Sequence, residues 1–245
     1  MTHNAGKTGE DTLERLARAS REKQAAFIGN IARRLGRPPL REKPAHPFKG
    51  APSYWSGFEL PTDERIALFS DNWRKAGGHV VHLATMEEAR RWIAEKATEL
   101  GAKRMLRQNE PELDAMALET ALPDVELRRW TDVPRGERLA TAAGADIGLV
   151  LADYAVAYTG SIVAMSSERK GRSVSLLPTA LFAIVPTDRL RTRLGEVLRE
   201  VDATPREALP AGIHFISGPS RSADIENDLT IGVHGPGVVF AIVVG

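Results

Sequence analysis

From residue 61 to residue 128 the sequence alternates between helical segments and short apolar runs. The pattern predicts helices over 62–76, 85–100 and 110–121, and strands over 79–84, 103–107 and 125–128. Thr85 and Glu88 form the residue pair of a capping box at the start of the second helix. Strands that alternate with helices pair in parallel, and helices cover both faces of such a sheet. The alternation therefore predicts a three-layer α/β/α fold with a mainly parallel sheet.

The second half of the chain carries short apolar runs between polar loops that contain glycine. These runs predict buried strands over 147–151, 161–165, 181–186, 213–217 and 238–244. One helix is predicted over 190–201. The 245 residues suit one large domain with an appendage. We expect residues 58–245 to form the α/β domain.

Residues 1–57 have a different composition and are predicted to form an amphipathic helix followed by a proline-rich basic linker. The helix is predicted over 12–35, with Gly36 ending it and a linker over 37–55. Its apolar face comprises Leu13, Leu16, Ala17, Phe27, Ile28, Ile31 and Leu35. This face needs a partner surface. Docking on the same chain, subunit swapping in a homo-oligomer and a purely scaffolding role for the arm all remain open.

Charge is unevenly divided along the chain. Residues 1–50 hold 11 Lys and Arg against 5 Asp and Glu, whereas the remainder holds 22 against 27. A basic arm of this kind can bind nucleic acid, but no nucleic-acid-binding motif accompanies it. We therefore expect the arm to bind protein and expect no nucleic-acid partner.

Cysteine is absent from the sequence. Its absence excludes disulfides, a cysteine nucleophile and iron–sulfur clusters held by thiolates of this chain. The six histidines show no metal-ligand spacing, so neither a metal site nor a cofactor is expected. The first residues lack the apolar region of a secretory signal, and no apolar run approaches the roughly 20 residues of a membrane span. A cytoplasmic protein without a membrane span is the expectation.

Three loops concentrate small and polar residues beside predicted strands. Hydroxyls, guanidinium groups and the backbone N–H groups of glycine-bearing turns are the groups that bind carboxylates and phosphates. Each loop alone also fits an ordinary connection between strands. The candidate ligand-binding residues are Thr159, Gly160 and Ser161 in the first loop, Arg172 and Ser173 in the second, and Ser220, Arg221 and Asp224 in the third.

Taken in order, the sequences of these loops resemble those of the LUD-domain family, and within it the C-type subunit of L-lactate utilisation systems. The strings that carry the resemblance are ADYAVAYTGS at 152–161, RS at 172–173, SLLP at 175–178, SGPSRSADIE at 217–226 and GVHGP at 232–236. The resemblance implies a fold similar to the ribose-phosphate isomerase and CoA-transferase-like architecture. It also implies iron–sulfur partner proteins that oxidise L-lactate to pyruvate.

Two functional hypotheses follow. In the first, the chain is an accessory subunit that binds a small carboxylate or phosphate, or organises its partner subunits. The three loops would then share one anion, with Asp224 orienting an arginine. In the second, the chain is an independent enzyme of the isomerase or transferase kind acting on a phosphorylated sugar or an acyl-CoA. That enzyme needs a general base, for which Asp153, Asp224 and Glu226 are the candidates, and no catalytic residue is assigned.

Overall fold

The structure is a computed structural model that describes residues 6–40, 42, 57–223 and 229–245. The chain divides into two units, Met1–Ser56 and Gly57–Gly245. In the first unit helix α1 spans Gly6–Arg34 and so begins before the predicted segment. Gly36 follows with a φ of +63°, the left-handed conformation that ends many helices. Most of the predicted linker lies outside the described residues.

The second unit contains the remaining described helices and strands. The helices are α2 (Thr62–Lys75), α3 (Met86–Glu99), α4 (Pro111–Ala115), α5 (Leu118–Ala121), α6 (Arg138–Ala143), α7 (Ser173–Leu176) and α8 (Leu194–Asp202). The strands are β1 (His79–Leu83), β2 (Arg104–Arg107), β3 (Glu126–Arg129), β4 (Ile147–Leu151), β5 (Tyr154–Val156), β6 (Ser161–Met165), β7 (Ala180–Pro186), β8 (Leu190–Arg191), β9 (Ile213–Ile216), β10 (Arg221–Ala223), β11 (Leu229–Ile231) and β12 (Val238–Val244). No helix in the described ranges has both the length and the apolar character needed to cross a membrane.

Six strands form a central sheet in the order β1-β12-β7-β4-β2-β3, and all neighbouring pairs are parallel. Alternate residues of each strand face opposite sides of this sheet. On β7, for example, Phe182 belongs to the core beneath α3, α4 and α5, whereas Ala183 belongs to the core beneath α2, α6 and α7. The predicted α/β fold with a mainly parallel sheet between two covering layers is confirmed.

A second, four-stranded sheet contributes to one of the covering layers. Its order is β8-β5-β6-β9, with β5/β8 parallel and the other pairs antiparallel. Ala155 and Ile162 of this sheet pack into the same core as α2 and α7. β10 and β11 pair with each other as a short antiparallel hairpin and with neither of these sheets. Residues 154–156, predicted as loop, form strand β5 of the second sheet.

Two predicted helices differ in the structure. The helix expected over 110–121 is broken into α4 and α5 by Ala117, whose φ is +45°. The helix expected from residue 190 begins only at Leu194. Leu190 and Arg191 instead extend the second sheet, where they pair with Ala155 and Val156. This pairing joins positions distant in sequence, so helical periodicity alone does not predict it.

The connections of β2 and β4 leave the central sheet on opposite faces. The chain after β2 passes through Leu113 and Leu118 in one core, whereas the chain after β4 passes through Ala155 and Val174 in the other. β2 and β4 are neighbours, so a crevice opens between their carboxyl ends. Ligands of open α/β sheets bind at such a switch in chain direction.

His82 on β1 predicts a loss of stability on acidification. Its Nε2 lies 2.8 Å from Ser70 Oγ, which itself donates to the Ile66 carbonyl, so His82 donates to Ser70. Burial and the nearby Arg74 lower the pKa of His82 from its usual 6.5. Because the pKa of His82 is lower in the folded state, the stabilisation that neutral His82 contributes is fully present above pH 6.5. It is lost as the pH falls through the folded-state pKa.

Urea unfolding of wild type and His82→Gln between neutral and mildly acidic pH measures this effect. Glutamine keeps a donor for Ser70 but does not titrate, so we expect the variant to lose less stability than wild type on acidification. Equal losses in the two proteins would exclude the assigned role of His82.

Candidate functional site

An open groove of about 1070 Å³ begins at the carboxyl end of β3, and Lys170 in its wall reaches residues that follow β2 and β4. Three stretches of chain form its walls: the segment after β3, the loop between β6 and α7, and the segment before β9. The lining residues are Trp130, Thr131, Arg135, Arg138, Leu139, Ser166, Ser167, Glu168, Lys170, Gly171, Arg172, Ser173, Ala208, Leu209, Pro210 and Ala211. The groove therefore occupies the edge of the sheet where the chain's own topology predicts a ligand.

The walls of the groove are strongly cationic. They carry three arginines and one lysine against the single carboxylate of Glu168. Arg138 donates from Nε to the Val133 carbonyl at 3.1 Å, and its guanidinium lies 4.9 Å from the Trp130 ring. Within the described residues the side chains of Arg135 and Arg172 make no hydrogen bond or ion pair. Two guanidinium groups are thus available for an anion.

Lys170 joins the groove to a pair of carboxyl groups in the crevice between β2 and β4. Its Nζ lies 2.5 Å from Asp153 Oδ1, and Asp153 Oδ2 accepts the Met165 N–H at 2.7 Å. Both Asp153 oxygens are therefore engaged, which suits a residue that positions Lys170 better than a general base. Glu110 Oε1 lies 4.0 Å from the same Nζ. Burial raises the pKa of Glu110, and Lys170 partly offsets that rise.

Sequence reasoning missed Glu110, Arg135 and Arg138. Glu110 comes three residues after the end of β2 and therefore lies near the carboxyl edge of the sheet, a placement that follows from the predicted parallel sheet. Arg135 and Arg138 follow the shortest of the predicted strands of the first half. No pattern in that stretch distinguishes them from ordinary surface arginines.

Close packing on glycine places Arg172 and Ser173 at the groove. A Cβ on Gly148 of β4 would lie 1.9 Å from the Val174 carbonyl oxygen, so α7 rests directly on the sheet backbone there. A Cβ on Gly171 would lie 2.0 Å from the Trp130 ring. The Gly171 contact holds the loop that carries Arg172 against the residue that follows β3, and the Gly148 contact holds α7 on the amino-terminal half of β4.

Ser220 lies in a different cavity, of about 280 Å³, near the amino ends of β7 and β12. Ser175, Ser217 and His234 also line this cavity. The placement follows from β9, which runs antiparallel to β6, so that residues before it lie at the groove and residues after it at the opposite edge. His214 lies on β9 itself, and burial together with Arg172 lowers its pKa.

The Thr159-Gly160-Ser161 turn packs closely against α2 and hydrogen-bonds to Ser217. Ser161 is buried, and its hydroxyl lies 2.6 Å from Ser217 Oγ and donates to Thr159 Oγ1 at 2.8 Å. Gly160 has a φ of +58°, and a Cβ there would lie 2.7 Å from the backbone of α2. This turn therefore joins α2 to the loop that follows β9 and lines neither cavity directly.

Arg221 caps the carboxyl end of α2. Its Nη2 donates to the Ala76 carbonyl at 2.5 Å, where the helix dipole also favours a cation. We expect Arg221→Ala to lower the free energy of unfolding by about 1 kcal/mol, because that carbonyl loses its charged donor. Urea unfolding measures the loss. Arg169→Ala, a surface change at an exposed loop residue, is the control, and equal stability of both variants would contradict the capping role.

The predicted ligand residues are thus divided among several places. Arg172 and Ser173 lie together in the groove, and Ser220 lines the second cavity. Thr159 and Ser161 bond to each other near that second cavity, and Arg221 bonds to α2. Asp224 and Glu226 lie outside the described residues. The described residues of the three loops line two separate cavities or neither, which argues against one anion shared by all three loops. The ligand assignments themselves stay predictions.

Comparisons with known proteins agree on one family. A family model described as the LUD domain matches residues 66–244. Lactate utilization protein C of Halalkalibacterium halodurans is 37% identical over 221 residues, which cover 88% of this chain and 94% of that protein. Lactate utilization protein C of Shouchella clausii is 31% identical, over 86% of this chain and 93% of that protein.

A solved structure is also similar. It is the crystal structure of a DUF162 family protein from Deinococcus radiodurans, with a TM-score of 0.58 and 25% sequence identity. The match covers 76% of this chain and 99% of that one.

Proposed function

Because the chain belongs to the LUD domain family, we propose that it is an accessory subunit in L-lactate utilisation that acts through the cationic groove. The names of its relatives support a role in lactate utilisation. The cations of the groove support binding of an anionic group. In this proposal the groove binds carboxylate or phosphate groups. Iron–sulfur partner proteins carry the electrons of lactate oxidation, since a chain without cysteine has no thiolates to hold their clusters.

The charge of the groove is the observation that carries the proposal. Four cationic side chains and one carboxylate line the groove. Lys170 is already paired with Asp153, whereas the guanidinium groups of Arg135 and Arg172 have no side-chain partner in the described residues. Guanidinium groups bind carboxylates and phosphates through paired, charge-assisted hydrogen bonds. Ser173, the first residue of α7, adds a hydroxyl donor to the groove wall.

Genetic complementation tests the proposal. In a bacterium that lacks its own lactate utilization protein C, we expect this chain to restore growth on L-lactate and the Arg135→Ala, Arg172→Ala double variant to fail. Growth on glucose and equal expression of both proteins are the controls. Full rescue by the double variant would contradict a function through the groove.

The raised pKa of Glu110 beside Lys170 favours a second candidate, an independent enzyme using acid–base chemistry. A phosphorylated sugar or an acyl-CoA would be the substrate, and the groove cations would hold its phosphates. Turnover by the purified chain alone, lost in Glu110→Gln, would establish this alternative. Absence of turnover with both substrate classes would leave the accessory role as the better account.

A further inference from the structure

We propose that the groove binds an acidic segment of another protein, one in which leucine-like side chains accompany the carboxylates. This inference rests on the proposed function, because it names the source of the carboxylates that the groove binds. Three observations carry it: the size of the groove, the distribution of its cations and the exposure of two of its leucines.

The groove is large for a free small acid. Its volume of about 1070 Å³ equals that of about 35 water molecules in the liquid. Specific small-molecule sites enclose most of their ligand's surface, whereas an acid of three carbons would leave this groove almost filled with water. An open groove of this volume has room for a segment of polypeptide.

The cations come from two separate stretches of chain. Arg135 and Arg138 follow β3, whereas Arg172 precedes α7. Lys170 of the same loop is already paired with Asp153 and is not counted here. One carboxylate accepts hydrogen bonds from one or two guanidinium groups, so a single small acid leaves part of this charge unpaired. A row of acidic side chains pairs with both stretches. Charge complementarity of this kind accelerates and orients protein association.

Two leucines in the walls are exposed. The exposed fractions are 66% for Leu139 and 43% for Leu209. Exposed apolar side chains beside arginines are the composition of a protein interface, whose energetic centre typically combines apolar anchors with arginine. A small hydrophilic acid gains nothing from these leucines. Apolar side chains of a bound segment would cover them and contribute affinity through the hydrophobic effect.

Fluorescence anisotropy with a short labelled peptide of alternating glutamate and leucine tests the proposal. We expect saturable binding that weakens with salt, falls about a hundredfold in the Arg135→Glu, Arg172→Glu variant and about tenfold in Leu139→Ser. The Lys103→Glu, Arg199→Glu variant, an equal charge reversal at two exposed residues outside the groove, should bind as wild type. A peptide with lysine for glutamate should not bind, and one with serine for leucine should bind more weakly.

The outcomes separate this inference from the proposed function. Citrate and pyrophosphate are titrated in parallel by calorimetry. If they bind in the groove but the peptide does not, the anion site stands and the acidic segment is excluded. If neither anion nor peptide binds the wild-type protein, the groove assignment fails as well. Equal peptide binding by wild type and the Arg135→Glu, Arg172→Glu variant, with both unfolding at the same urea concentration, would also overturn the inference.

Discussion

Replacing Gly148 with alanine should lower the free energy of unfolding by about 3 kcal/mol or more. The new Cβ would lie 1.9 Å from the Val174 carbonyl oxygen and 2.9 Å from Pro178 Cγ, so α7 cannot keep its place on the sheet. The nearest atom belongs to the backbone and cannot rotate away as a flexible side chain can. Alanine in place of this one glycine therefore forces a whole segment to move.

Equilibrium unfolding in urea measures the loss for Gly148→Ala. Gly195→Ala is the matched control, because Gly195 lies in α8 with nothing within 4 Å of an added Cβ. That variant should be more stable than wild type by about 0.5–1 kcal/mol, since alanine favours the helix. Near-wild-type stability of Gly148→Ala would show that α7 does not rest on β4 as described.

The same substitution should weaken anion binding. Arg172 and Ser173 directly precede Val174, so displacement of α7 moves them away from the other cations of the groove. Gly195→Ala should leave binding unchanged, because α8 contributes no residue to the groove.

The Arg135→Ala, Arg172→Ala double variant should bind citrate about a hundredfold more weakly than wild type. Each lost charge-assisted hydrogen bond costs about 1.5–3 kcal/mol, and neither guanidinium has a side-chain partner in the described residues that its removal would expose. For the same reason the free energy of unfolding should change by less than about 0.5 kcal/mol. The double variant is thus expected to lose affinity for citrate while its free energy of unfolding stays close to that of wild type.

Isothermal titration calorimetry with citrate measures this effect. Arg172→Lys keeps the charge but loses the planar pair of donors, so its affinity should fall between those of wild type and Arg172→Ala. Arg199→Ala, at an exposed residue of α8, is the control for loss of a surface arginine. An affinity of the double variant within a factor of about two of wild type would exclude the two arginines as the anion site.

The central sheet could be predicted from the sequence because its signals are local. The central strands β4, β7 and β12 are short apolar runs. Thr85 and Glu88 cap α3 as expected, although Glu88 accepts the N–H of Ala84 and not that of Thr85 itself. Such local signals place both ends of α2 and α3 within one residue of their observed positions. They also predict which edge of a parallel sheet receives a ligand.

The differences have long-range causes. Alanine is the strongest helix former, so nothing local marks Ala117 as a residue with a φ of +45°. β5 and β8 form only because the chain brings them together, and each is too short to show a periodic pattern. The cationic groove combines a predicted loop, with Arg172 and Ser173, and an unpredicted one, with Arg135 and Arg138. Sequence patterns identify loops, but the fold decides which loops meet.

A crystal structure of the protein soaked with selenate tests most directly whether the groove at the carboxyl edge of the sheet is the anion site. Anomalous scattering from selenium locates the ion without reference to the surrounding protein. We predict a peak within hydrogen-bond distance of Arg135 or Arg172 and of Ser173. An empty groove, with selenate bound instead at Ser217 and Ser220 near the amino edge, would contradict the central claim.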